Sequence, residues 1–161
     1  MNSACPTCGR PLDDHDRHVR FRLPEPVVAR PDLMDLPDFW TTDPDPSAAV
    51  MMIVPEMGGF VRALFPITMT EGHTLTYGVW VGVDSKTLNK TFKLWWSPKY
   101  SKLRISGRLA NPIQPWGLLG SPVDLSVLNP DATPYCTSST DPGCEFVLTN
   151  IWDHDVPMRP L

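Results

Sequence analysis

The chain has 161 residues, 42% of them hydrophobic and 20% charged, with a formal net charge of -4 and a sequence pI near 5.4. That length suits one domain with a real core and is short for two, and the composition is that of a soluble globular protein. The sequence holds no apolar run near the ~20 residues of a membrane span, its start lacks the basic-then-apolar pattern of a secretory signal, and its acidic pI disfavours general nucleic-acid affinity. The expectation is a single cytoplasmic domain over residues 1–161 with reduced cysteines, which favours metal over disulfides.

Cys5-Pro6-Thr7-Cys8-Gly9 comes first. Two thiolates two residues apart, followed by a glycine that tolerates unusual backbone angles, have the form of a zinc knuckle. Tetrahedral zinc needs four ligands and no second CxxC follows, so three completions stay open. Cys136 and Cys144 could close a four-cysteine site, His15 and His18 could close it locally, or the pair could be empty. A redox role is disfavoured, because a catalytic CxxC opens a helix after a strand.

Residues 18–23 alternate as a half-buried strand, and 24–47 form a proline-rich irregular stretch with a short helical turn near Asp32–Leu36. Nineteen prolines, against a usual ~5%, require long loops and edge strands. Met51–Val54 and Phe60–Ile67 read as strands around a Met57-Gly58-Gly59 turn. Residues 75–83 alternate most cleanly: Leu75, Tyr77, Val79, Val81 and Val83 share one side, while Gly78, Trp80 and Gly82 share the other, where a close cover is expected. Ser85 reads as the N-cap of a helix to Trp96, with Leu88, Phe92 and Trp95 as its buried stripe. Strands are expected at 103–109, 123–128 and 145–148, the last two joined by a polar link holding Cys136 and Cys144. The predicted fold is α+β: an antiparallel sheet with one main helix on a face, long proline-rich loops and an N-terminal zinc-knuckle-like turn. Residues 1–18 are the CxxCG segment and 19–161 the α+β body.

Four further groups of residues support a resemblance: Phe60-Val61-Arg62-Ala63, Tyr77-Gly78-Val79-Trp80-Val81, Gly107-Arg108-Leu109-Ala110-Asn111 and the terminal Asp153-His154. With the CxxCG in this order and spacing, the chain resembles the bacterial proteins catalogued as domain of unknown function 2199. It departs from them at Leu12, where the family often has a histidine. The resemblance implies an architecture and no mechanism.

Residues 84–108 hold seven basic side chains, among them Lys86, Lys90, Lys93, Lys99 and Arg108, against the single Asp84. Neutralisation within the fold is the plainer account, since a charge block on one element is usually a solvated face. As a binding surface these five would serve an anionic ligand or nucleic acid, with Trp96 and Tyr100 as the exposed aromatics. No nucleophile–base set, carboxylate pair or phosphate loop is present, which disfavours an enzyme. The first expectation is a non-enzymatic protein-interaction domain, immunity-like or regulatory, with structural zinc and another protein as partner. Loop tryptophans Trp40, Trp116 and Trp152 would be its contact anchors. An anionic-ligand module is the alternative, and nothing in the sequence indicates an oligomeric state.

Overall fold

A computed structural model describes residues 18–153 of the chain. Its centre is a long hairpin. Strands β4 (Gly58–Thr68) and β5 (Thr74–Val83) pair antiparallel without a break from Gly59↔Val83 to Thr68↔Thr74. Strand β6 (Arg104–Leu109) pairs with the far end of β5, β7 (Pro122–Ser126) with β6, and β8 (Tyr135–Ser138) with β7. In an antiparallel meander of five strands the first and last run the same way, so closure requires a parallel contact. That contact is Leu64↔Tyr135 between β4 and β8.

The result is a closed five-stranded β-barrel, and it corrects the expected α+β sheet with one main helix. The fold is mostly β. Among the described residues three short helices accompany it: α1 (Glu25–Ala29), α2 (Ser85–Trp95) and α3 (Pro142–Thr149). The physical reason lies in the alternation. Val61, Ala63, Phe65 and Ile67 of β4 meet Leu75, Tyr77, Val79 and Val81 of β5 in one cluster, which Ile105, Leu109, Val123, Leu125 and Cys136 complete. A sheet that curls onto itself covers its own apolar face, so no large helix is required there.

The opposite face of the hairpin has its own, smaller core. Phe60 and Trp80 pack with Val27, Leu33, Ala49, Met52, Val54 and Ala110. Three extra strands belong to this layer: β1 (His18–Arg20), parallel to β5; β3 (Met51–Val54), antiparallel to β4; and β2 (Trp40–Thr41) on β3. The short turn expected near Asp32–Leu36 is a 3-10 turn over Pro31–Asp35. The close cover expected over Gly78, Trp80 and Gly82 is present as well, since a Cβ on Gly78 would stand 3.1 Å from the Arg20 side chain.

Polar groups bind this layer to the barrel. Arg62 is fully buried; its guanidinium donates to the carbonyls of Phe21, Pro46 (3.0 Å), Ala49 (3.3 Å) and Gly78 (3.3 Å) and lies 4.1 Å from the Trp80 ring centroid. Trp80 Nε1 donates to the Arg22 carbonyl at 3.2 Å, and Asn111 Nδ2 donates to that of Leu23 at 2.9 Å. Asn111 Oδ1 in turn accepts the Trp80 backbone N–H at 2.7 Å. Three consecutive carbonyls, 21 to 23, are thus each received by a buried side chain.

Two local readings change. Residues 145–148, expected as a strand, belong to α3, which Asp141 caps by accepting the Cys144 N–H at 2.9 Å and which begins on Pro142. Cys136, expected in a polar link, lies in strand β8. Gly107 is required by close approach: a Cβ there would stand 2.5 Å from the Gly82 carbonyl oxygen.

Replacing Arg62 with Met would leave buried carbonyls without donors, at a cost of about 3 kcal/mol. Arg62→Met should lower unfolding stability by that order and speed amide exchange at Phe21, whose N–H bonds the Gly78 carbonyl. Urea denaturation and hydrogen exchange check this; wild-type values in both would refute it.

Candidate functional site

Helix α2 begins at Asp84, whose carboxylate accepts the Thr87 N–H at 2.7 Å; Asp84, and not Ser85, is the N-cap. Those bonds to Thr87 hold the Asp84 carboxyl below its ordinary range. The buried stripe is Leu88 and Thr91, with Leu94 and Trp95 half-buried beside it. Thr91 tolerates burial because its hydroxyl donates to the Thr87 carbonyl at 2.7 Å.

Phe92 is therefore not in the stripe, as its i+4 spacing from Leu88 suggested, but 47% exposed. It stands between two tryptophans, edge-on to Trp40 (centroids 5.8 Å) and to Trp96 (5.1 Å). Trp96 is 62% exposed, and Ile53, paired with Trp40 across β2 and β3, is 39% exposed. Trp40, Ile53, Leu88, Asn89 and Phe92 line a hollow of about 330 Å³. On the other side of Asn89, Lys86, Lys90 and Lys93 line an open cleft of about 590 Å³. This joined apolar ridge and lysine row is the candidate site.

The five basic residues expected to act together do not share one place. Lys86, Lys90 and Lys93 share the α2 cleft, while Lys99 lies on the 3-10 turn Pro98–Lys102. Arg108 lines a separate cleft with Asp84 and Gly107 and donates to the Gly120 carbonyl at 3.2 Å. Trp116 and Trp152, expected as exposed anchors, are half-buried against each other at 4.9 Å, whereas Trp40 does reach the ridge. Ile53 carried no signal in the sequence, because Met51–Val54 is apolar throughout and only the fold leaves its third position exposed.

Of the expected metal ligands, Cys5, Cys8 and His15 lie outside the described residues. His18 pairs through its backbone with Thr76. Cys136 and Cys144 are free and buried in the main core, and burial pushes both thiols up, with Cys144 adding to the effect on Cys136. Among the described residues, no group of three or more His, Cys, Asp or Glu is placed to hold a metal, and no helix is long and apolar enough to cross a membrane.

Tyr100, expected to be exposed, is buried; its ring meets Trp95 at 5.2 Å and its hydroxyl donates to the Ala132 carbonyl at 2.6 Å. Burial pushes its pKa from 10.0 up to about 12. Between those values the unfolded chain loses the phenolic proton while the folded one keeps it, so stability present below pH 10 should fall as pH rises toward 12. Urea midpoints across this range check the slope, which Tyr100→Phe should flatten.

No curated protein matches the chain, and no solved structure does. Residues 4–137 match the model of the family DUF2199, described as an uncharacterized protein conserved in bacteria. The match takes in the CxxCG segment, the Arg62, Trp80 and Asn111 motifs, the whole α2 ridge and Cys136; Cys144, α3 and Asp153-His154 lie beyond it. With most of its length in that match, the chain belongs to this bacterial family of uncharacterised proteins.

Proposed function

We propose that this domain is a non-enzymatic protein-binding module whose contact surface is the ridge of Trp40, Ile53, Phe92 and Trp96. The observation that carries the proposal is the exposure of four large apolar side chains in one contiguous group beside a hollow. Isolated exposed apolar residues are ordinary, but a clustered aromatic patch marks a contact site, and Trp is the residue type most enriched among binding anchors. Phe146 and Ile151 are also exposed, near the end of the described residues. The ridge differs from them in having a hollow that an incoming side chain can enter.

The ridge projects from β2, β3 and the C-terminal part of α2 with its cap, and Trp40 and Trp96 lie outside both apolar cores, so truncating these two should spare the fold. Trp40→Ala combined with Trp96→Ala should abolish capture of a cognate partner from cell extract and leave the thermal midpoint nearly unchanged. A variant that captures the same partner as wild type would sink the proposal.

Structural zinc on Cys5 and Cys8 is a second part of the proposal. Cys136 and Cys144 are packed among the apolar side chains of the main core, which favours completion by other ligands. Elemental analysis should find zinc in wild type and in Cys136→Ser, and none in Cys5→Ser. Loss in Cys136→Ser would establish the four-cysteine site instead.

A further inference from the structure

Helix α2 carries its charge in an arrangement that a solitary helix would not favour. Lys86, Lys90 and Lys93 follow one another at i, i+4 and i+7, and all three border the same cleft. Like charges at this spacing repel, by a few tenths of a kcal/mol per pair. Lys86 also sits in the first turn, where the helix dipole is positive, and that turn contains no acidic residue. Within the fold the N-cap carboxylate of Asp84 offsets part of the charge at the Lys86 end of the row, about one and two turns away from Lys90 and Lys93. The ion pairs Arg30–Asp32 and Arg30–Glu56, among the described residues, involve no lysine. All three lysines are exposed, so the row faces solvent as a net positive strip within a chain whose net charge is -4.

This strip and the apolar hollow meet at Asn89, which lines both. An occupant that covers both must offer apolar side chains to one and negative charge to the other. The aromatic geometry argues against bases as that occupant. Phe92 meets Trp40 at an interplanar angle of 67° and Trp96 at 71°, so the rings pack edge to face with one another. Nucleobases stack on open, separated ring faces, and the hollow is walled partly by aliphatic Ile53 and Leu88. Aliphatic and aromatic side chains of a peptide fit such a hollow.

We infer that the partner presents an acidic, amphipathic segment, its apolar side chains seated between Trp40, Ile53 and Phe92 and its carboxylates along Lys86, Lys90 and Lys93. This rests on the protein-binding reading of the ridge and adds the partner's chemistry. The charged half of the contact is exposed and sets association rate and specificity, while the apolar half holds the complex together.

Selection from a display library of random peptides of about 12 residues, long enough to span a helix-in-groove contact, tests this. Wild-type protein should enrich peptides rich in Asp and Glu around Leu, Phe or Trp. Their affinity should fall about tenfold in a Lys86→Glu, Lys90→Glu, Lys93→Glu variant and fall again with rising salt. That variant, selected afresh, should enrich basic peptides. A Trp40→Ala, Trp96→Ala variant should enrich none.

Enrichment on wild type without acidic bias, lost in the tryptophan variant, would overturn the acidic partner and leave the ridge standing. The same peptides recovered on the tryptophan variant would overturn the ridge itself. Displacement of the peptides by a single-stranded oligonucleotide at low salt would overturn the inference in favour of nucleic acid. A wild-type dimer in sedimentation that Trp96→Ala dissociates would overturn it in favour of a second copy.

Discussion

The guanidinium of Arg62 is a buried cation answered by carbonyl oxygens and an aromatic face, and the layered construction of this protein depends on it. Burial, with a smaller push from Arg20, lowers its pKa to about 9, so it is still charged at neutral pH. A buried charge is tolerated only when its donors are satisfied, and here those donors are shared among Phe21, Pro46, Ala49 and Gly78. The carbonyls come from the N-terminal segment, from the loop before β3 and from β5. One side chain thereby ties the N-terminal segment and the loop before β3 to the central hairpin. Trp80 and Asn111 extend the arrangement, and all three belong to the motifs that carry the family resemblance.

The recognition surface is a product of that layer. Trp40 and Ile53 reach the ridge only because β2 and β3 are held against β4, and Phe92 and Trp96 reach it because α2 leaves the end of β5. The barrel core and the ridge thus share the β4–β5 hairpin as a frame, and Leu88 links them by packing in the core while lining the hollow. Large aromatic residues can stay in solvent here because neither apolar core uses them.

The strand at 75–83 was legible because its alternation is sharp, and both of its faces are now seen to be buried for different reasons. One fills the barrel and the other carries the outer layer. Closure of the barrel was not legible. It rests on a single parallel pairing between β4 and the short strand Tyr135-Cys136-Thr137-Ser138, and four residues give periodicity little to work with. Helix α3 carried a start signal, Asp141 followed by Pro142, but its apolar run of Phe146, Val147 and Leu148 suits a strand equally well. Phe92 misled because positions i+3 and i+4 both lie near Leu88 on a helix. A buried threonine that satisfies its own hydroxyl took the inner place that apolarity alone would have assigned to the ring. The α2 lysines were picked out by their charge, but their meeting with Trp40 and Ile53 depends on contacts far apart in sequence.

The uninterrupted pairing of β4 with β5 also bears on how the chain reaches this shape. Those two strands are neighbours in sequence, joined by five residues, so their contact closes a short loop. Every other pairing of the barrel or its outer layer is either much smaller or bridges distant segments, as Arg62 does with Phe21 and Asn111 with Leu23. Local contacts form before distant ones reward their entropy cost, which favours this hairpin as the first contact, with the curling of the meander and the docking of the N-terminal layer after it. Each of its two strands later lends the same edge to two neighbours, β4 to β3 and β8, and β5 to β1 and β6. The length of two neighbouring strands thus favours one order of assembly over the others.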